Sequence, residues 1–216
     1  MIIAETKLVP ETPKKITANT ANPAPKDTKA HLLNTGYQLI AKKGFTGVGI
    51  KEILDSAGVP KGSFYYYFTS KEAFGEAIIA QYFEKYRQRL ETIAAQEVSA
   101  QQKIYDYFEQ WYDTQQYGCD EGRCLVVKLS AEVADISEPM REVLASGYQR
   151  VIAWLSTQIK AGWEEGSVPR PANIAAESLA KRWYYAWLGA SLMAKTNQSN
   201  TPLAEVWQMT TTELGR

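Results

Sequence analysis

The stretch that decides the fold is GVPKGSFYYYFTSKEAF, residues 58–74, which places three consecutive tyrosines between two phenylalanines. At 100° per residue, neighbouring positions cannot all face one side of a helix, so the five rings must divide between two faces. Phe64 and Phe68 lie four apart and are expected to pack inward against Ile53 and Leu54. Tyr65, Tyr66 and part of Tyr67 then turn outward, which a packed core does not explain. Ser70, three residues before Ala73, reads as the N-cap of a long helix running to about Ala95.

Upstream, Asp27 or Thr28 is placed to cap a helix whose apolar residues Leu32, Leu33, Tyr37, Leu39, Ile40 and Ala41 recur at three and four spacing. It ends at Lys42-Lys43-Gly44, and the connector FTGVG leads to a short helix, Ile50 to Ala57, stopped by Gly58. Val59-Pro60 separates that helix from the segment beginning at Lys61, and two helices joined by a tight glycine-containing turn form a helix-turn-helix. Further helices are expected at about 100–117, 123–135, 138–164, 172–196 and 202–213, broken by YGCDEG, the Ser137-Glu138-Pro139 start, EEGSVPRPAN and Asn200-Thr201-Pro202. No segment alternates well enough to require a strand and no internal repeat stands out. The expectation is an all-α protein: an extension over 1–26, a three-helix head with a helix-turn-helix over 27–72, and a larger helical regulatory and dimerisation domain over 73–216.

Charge divides the same way. The chain of 216 residues has no net charge, yet residues 1–72 hold ten lysines against six acids, and residues 73–216 hold 14 basic against 18 acidic groups. A small basic module on an acidic body fits a nucleic-acid reader with a separate regulatory part. No apolar run is long enough to span a bilayer and no leader pattern opens the chain, so a cytoplasmic protein is expected. Cys119 and Cys124 are too few and too close for a disulfide framework, and nothing has metal-ligand spacing, so neither metal nor cofactor is expected. Glu132 and Asp135 stand at i and i+3 without a histidine or nucleophile, and no catalytic constellation is visible. The single histidine, His31, reads as solvated or close to the bound partner.

With GFTGVGIKEILDSA before it, the opening stretch resembles the DNA-binding region of TetR-type transcriptional repressors over about residues 28–75. Leu54 departs from the small alanine usual in the family. The resemblance implies a homodimer on a pseudo-palindromic double-stranded DNA operator, with two reading heads about 34 Å apart. It implies that Lys51, Lys61, Gly62, Ser63 and Tyr65 approach bases or adjacent phosphates, while Tyr66, Tyr67 and Lys71 hold the backbone. It further implies that the last two long helices join their symmetry mates in a four-helix bundle. GRCLVVKLSAEVADISEPMRE (122–142) and YAWLGASLMAK (185–195) are similar to a subgroup that responds to reactive electrophiles and oxidants and controls flavin-dependent reductases.

Cys124 follows Gly122-Arg123 at an expected helix start with Lys128 one turn on, an environment that favours the reactive thiolate. Cys124 is thus the sensor candidate, Cys119 an exposed loop thiol or a resolving partner, and Lys195, a lysine the subgroup also carries, is expected to stabilise the thiolate or trap an oxidised sulfur if the fold brings it close. Tyr105, Phe108, Trp111, Tyr112, Trp183, Tyr184 and Trp187 recur on the regulatory helices and could line an apolar effector pocket. That leaves a second reading, a repressor released by a reversible apolar ligand with both thiols idle.

Overall fold

The computed structural model describes residues 25–116 and 125–216. Among these residues there are nine helices and no strand: α1 Pro25–Lys43, α2 Ile50–Ala57, α3 Lys61–Tyr67, α4 Lys71–Ala94, α5 Ala100–Gln115, α6 Leu125–Ala134, α7 Glu138–Glu165, α8 Ala176–Asn197 and α9 Thr201–Glu213. The all-α expectation holds among the described residues, as do the breaks at 137–139, EEGSVPRPAN and 200–202, while the YGCDEG break lies outside the described residues. Among the described residues α1 already runs from Pro25, ahead of the expected cap. Ser70, Ser99 and Ser137 cap α4, α5 and α7, each hydroxyl accepting from the amide three residues on.

The helix-turn-helix closes at Gly58, whose φ of +64° turns the chain out of α2 while its amide bonds back to α2 carbonyls. Pro60 occupies the N-cap of α3. The expectation that Phe64 and Phe68 share a helix face needs correction. α3 ends at Tyr67, and Phe68 is extended, but its ring still turns inward, 5.4 Å from Phe64 and 4.9 Å from Phe74 between ring centroids. Leu54 is buried with Ile53 in the same cluster, so the head accommodates the larger side chain. Tyr67 is half-buried and packs against that cluster.

Two apolar clusters fill the molecule, and their division cuts across the helix order. One joins α1–α3 and the first half of α4 to Leu125, Val126, Leu129 and Val133 of α6, and to Met140 and Leu144 of α7. The other binds the C-terminal part of α4 to α5, α7, α8 and α9. α6 therefore packs with the head. At Gly75 a Cβ would come within 2.6 Å of both Met140 and Phe45, so the absence of a side chain lets α7 and the α1–α2 corner close on α4. No described helix is long and apolar enough to cross a membrane.

Candidate nucleic-acid interface

α3 is only seven residues long and buries one of them, Phe64. Its other side carries the outward rings foreseen from the sequence: Tyr65 is 49% exposed and Tyr66 77%. Lys51 and Lys61 are exposed beside them, the Lys61 ammonium lying 5.8 Å from the Tyr65 ring. A Cβ at Gly62 would meet nothing within 4 Å, so the helix start stands open to a close-approaching surface. Ser63 is half-buried; with Gly62, Tyr66 and Tyr67 it borders a groove of about 510 Å³ between α3 and the start of α1. Together these residues present cations, hydroxyls and flat rings at and around one helix, the chemistry that holds phosphates and reads groove edges.

Two residues of the head make contacts that the sequence did not show. His31 is exposed, but its Nε2–H donates to the Ala57 carbonyl at 2.9 Å, tying α1 to the C-terminal end of α2. Lys71 is half-buried, and its ammonium lies 4.5 Å from the centre of the Phe45 ring, at the α1–α2 corner.

That corner is held from the body by Glu132 of α6. The Phe45 amide donates to Oε2 at 3.0 Å, the Thr46 amide to Oε1 at 2.6 Å, and the Thr46 hydroxyl also donates to Oε1. Gly44, at φ +86°, leaves no side chain in the way; a Cβ there would fall 2.9 Å from the carboxylate. Desolvation pushes the Glu132 carboxyl up, but the donors on Thr46 and Phe45 and the charge of Lys128 outweigh it, so its pKa lies below the ordinary 4.5. Sequence reasoning noticed Glu132 and found no partner, because the partner lies 86 residues away. The link runs from α6 directly to the loop that sets α2 against α1.

Cys119 and Cys124 lie outside the described residues. α6 begins at the residue after Cys124, and its first two side chains, Leu125 and Val126, are buried. Lys195 is exposed in the last turn of α8, which packs on α6. Of the seven aromatic residues assigned to a pocket, Phe108, Trp111, Trp183, Tyr184 and Trp187 are buried. Phe108 stacks on Trp187 at 4.9 Å, and Trp111 and Trp187 donate to Ser191 and Thr210, both at 3.0 Å, while Trp183 donates to Glu213. Their placement is that of core residues bracing α5, α8 and α9. Tyr105 and Tyr112 are half-buried, 4.9 and 5.7 Å from Trp207.

Comparison with known proteins agrees with this arrangement. The family model described as bacterial regulatory proteins, tetR family, matches residues 32–78, and a tetracyclin repressor-like C-terminal domain matches residues 100–210. The chain is similar to the HTH-type transcriptional repressor NemR of Escherichia coli strain K12, 45% identical over 181 residues, covering 82% of this chain and 88% of that one. It is 30% identical to the HTH-type transcriptional repressor DhaR of a Mycobacterium species, covering 81% of this chain and 86% of that one. A crystal structure of the reduced form of E. coli NemR superposes with a TM-score of 0.79 at 42% identity, covering 85% of this chain and 94% of that one.

Proposed function

Because the chain belongs to the TetR family of bacterial regulatory proteins, we propose that it is a dimeric repressor whose α3 enters the operator's major groove and which lets go when an electrophile or oxidant modifies Cys124. As a TetR-type transcriptional repressor it binds DNA, and its relatives are regulators rather than enzymes. Lys51, Lys61, Gly62, Ser63 and Tyr65 approach bases and neighbouring phosphates, and Tyr66, Tyr67 and Lys71 hold the backbone on either side. The exposed face of α8, with Tyr185, Leu192 and Met193, meets its symmetry mate and sets the distance between the heads.

The observation that carries the sensing half is the Glu132 link. Cys124 stands eight residues before Glu132 in the sequence, so a group added to the thiol pushes on the helix that grips the α1–α2 corner. The nearby helix start and Lys128 favour the thiolate, the form that attacks an electron-poor carbon or is oxidised. Lys195 is carried on a helix packed against α6 and is the second cation of this reading. The resemblance to a structure named as a reduced form supports a redox-dependent thiol here. A shift of about 3 kcal/mol between the two head arrangements weakens operator binding more than a hundredfold.

The test is release of a fluorescent operator duplex by p-benzoquinone. The parent is expected to dissociate as the quinone is added, and Cys124→Ser to stay bound at the same dose. Equal release of both proteins would remove the thiol from the mechanism and favour a reversible ligand.

A further inference from the structure

Arg89, on α4, belongs neither to the head nor to the thiol site. The residue reaches from the surface inward, and its Nε and Nη2 are sealed from water without an acceptor among the described residues. Those two N–H groups point the same way from one edge of the guanidinium, the edge whose spacing matches both oxygens of a carboxylate. On α7 the Trp154 Nε1–H is sealed and unpaired in the same way. Buried donors nearly always have partners, and a buried cation without one is especially costly.

One run of contacts joins these two orphaned groups. Arg89 lies 5.6 Å from the centre of the Tyr86 ring, the Tyr86 hydroxyl donates to the Tyr107 hydroxyl at 2.9 Å, and the Tyr107 ring lies 5.4 Å from that of Trp154. The charge of Arg89 also acts on the ionisation of Tyr107, which places the guanidinium close to that phenol. Thus α4, α5 and α7 bring three aromatic rings, a bidentate cationic edge and an indole donor into one connected run of contacts. None of these residues is shared with the α3 face or the Glu132 link.

We propose that Arg89 and Trp154 form a binding site for the carboxylate of a small organic acid, whose planar carbon part packs on Tyr86, Tyr107 and Trp154. One guanidinium edge and one indole N–H supply three donors, enough for two carboxylate oxygens; a phosphate would leave more of its charge unpaired. The site needs neither cysteine, so it stands apart from the thiol reading and the two can fail separately.

Benzoate is the probe, titrated calorimetrically into the reduced full-length protein beside its neutral analogue benzamide. Benzoate is expected to bind at least tenfold more tightly than benzamide, and to lose at least tenfold in Arg89→Gln. Arg89→Lys, which keeps the charge without the fork, is expected to lose a similar factor. A melting scan separates this from a structural role: without benzoate, Arg89→Gln should melt no lower than the parent, and benzoate should raise the melting temperature of the parent alone. Binding that is absent, equal for benzamide, or undiminished in both variants overturns the proposal, as does a marked loss of stability in unliganded Arg89→Gln.

Discussion

Tyr66 leaves 77% of its surface in water on a helix of seven residues, and Tyr65 leaves 49%. Their contacts within the head are local, with Tyr67 for Tyr66 and with Phe64 and the Lys61 ammonium for Tyr65, so these two residues, unlike the buried Phe64, leave ring surface free for a partner. Replacing Tyr66 with Phe keeps the ring and removes a hydroxyl; the expected result is operator binding weaker by about tenfold, the worth of one hydrogen bond to a charged phosphate. The melting temperature should not move. A fluorescence titration and a thermal scan read the two effects, and a destabilised head with unchanged affinity would return Tyr66 to the core. The division of rings into two faces was legible because it follows from helical periodicity alone. The extended conformation of Phe68 was not, since where a short helix stops depends on how the following chain packs on Phe74. The bond made by His31 was not legible either, for a related cause: its acceptor, the Ala57 carbonyl, lies 26 residues away.

At the scale of elements, the sequence marked helix boundaries well because caps are local: Ser70, Ser99, Ser137 and Gly58 each act within a few residues. It could not show that α6 packs with the head, because apolar periodicity tells a helix which face to bury and not against what. The Glu132 link is the consequence. Glu132→Gln keeps the shape but exchanges an acceptor oxygen for a donor nitrogen, so at least one of the donors on Phe45 and Thr46 loses its partner. The amides of Phe45 and Thr46 are expected to lose protection from hydrogen exchange about tenfold, and operator affinity to fall with them. The same link should loosen in acid. Its carboxyl is held below 4.5 in the folded chain, so its contribution is complete above that pH and is lost as the pH falls through the folded value. Protection factors at the two amides should therefore drop below pH 4.5 in the parent and stay flat in the variant. Unchanged protection in Glu132→Gln would mean that the corner is held by Phe45 packing alone.

For the whole molecule the question is which face would join two copies in the proposed dimer. On α8, Tyr185, Gly189 and Leu192 recur at i, i+4 and i+7, with Met193 beside them; Tyr185, Leu192 and Met193 are about half exposed, and a Cβ at Gly189 would meet nothing. An apolar stripe next to an unfilled glycine allows a second helix to approach closely, and α9 packs along the same helix to complete half of a bundle. The stripe was present in the sequence as YAWLGASLMAK, but exposure was needed to tell it from the neighbouring core residues Trp187 and Ser191. In the proposed dimer Leu192→Glu would place like charges across the two-fold axis, and it is expected to yield monomers in sedimentation at micromolar concentration while helix content is kept. A monomer carries one head and neutralises about half the phosphates, so the salt dependence of its residual DNA binding should have about half the parent's slope. Affinity for a full operator should then fall to that for a single half-site. A variant that remained dimeric and bound the full operator as the parent does would place the symmetry axis on another face of the body.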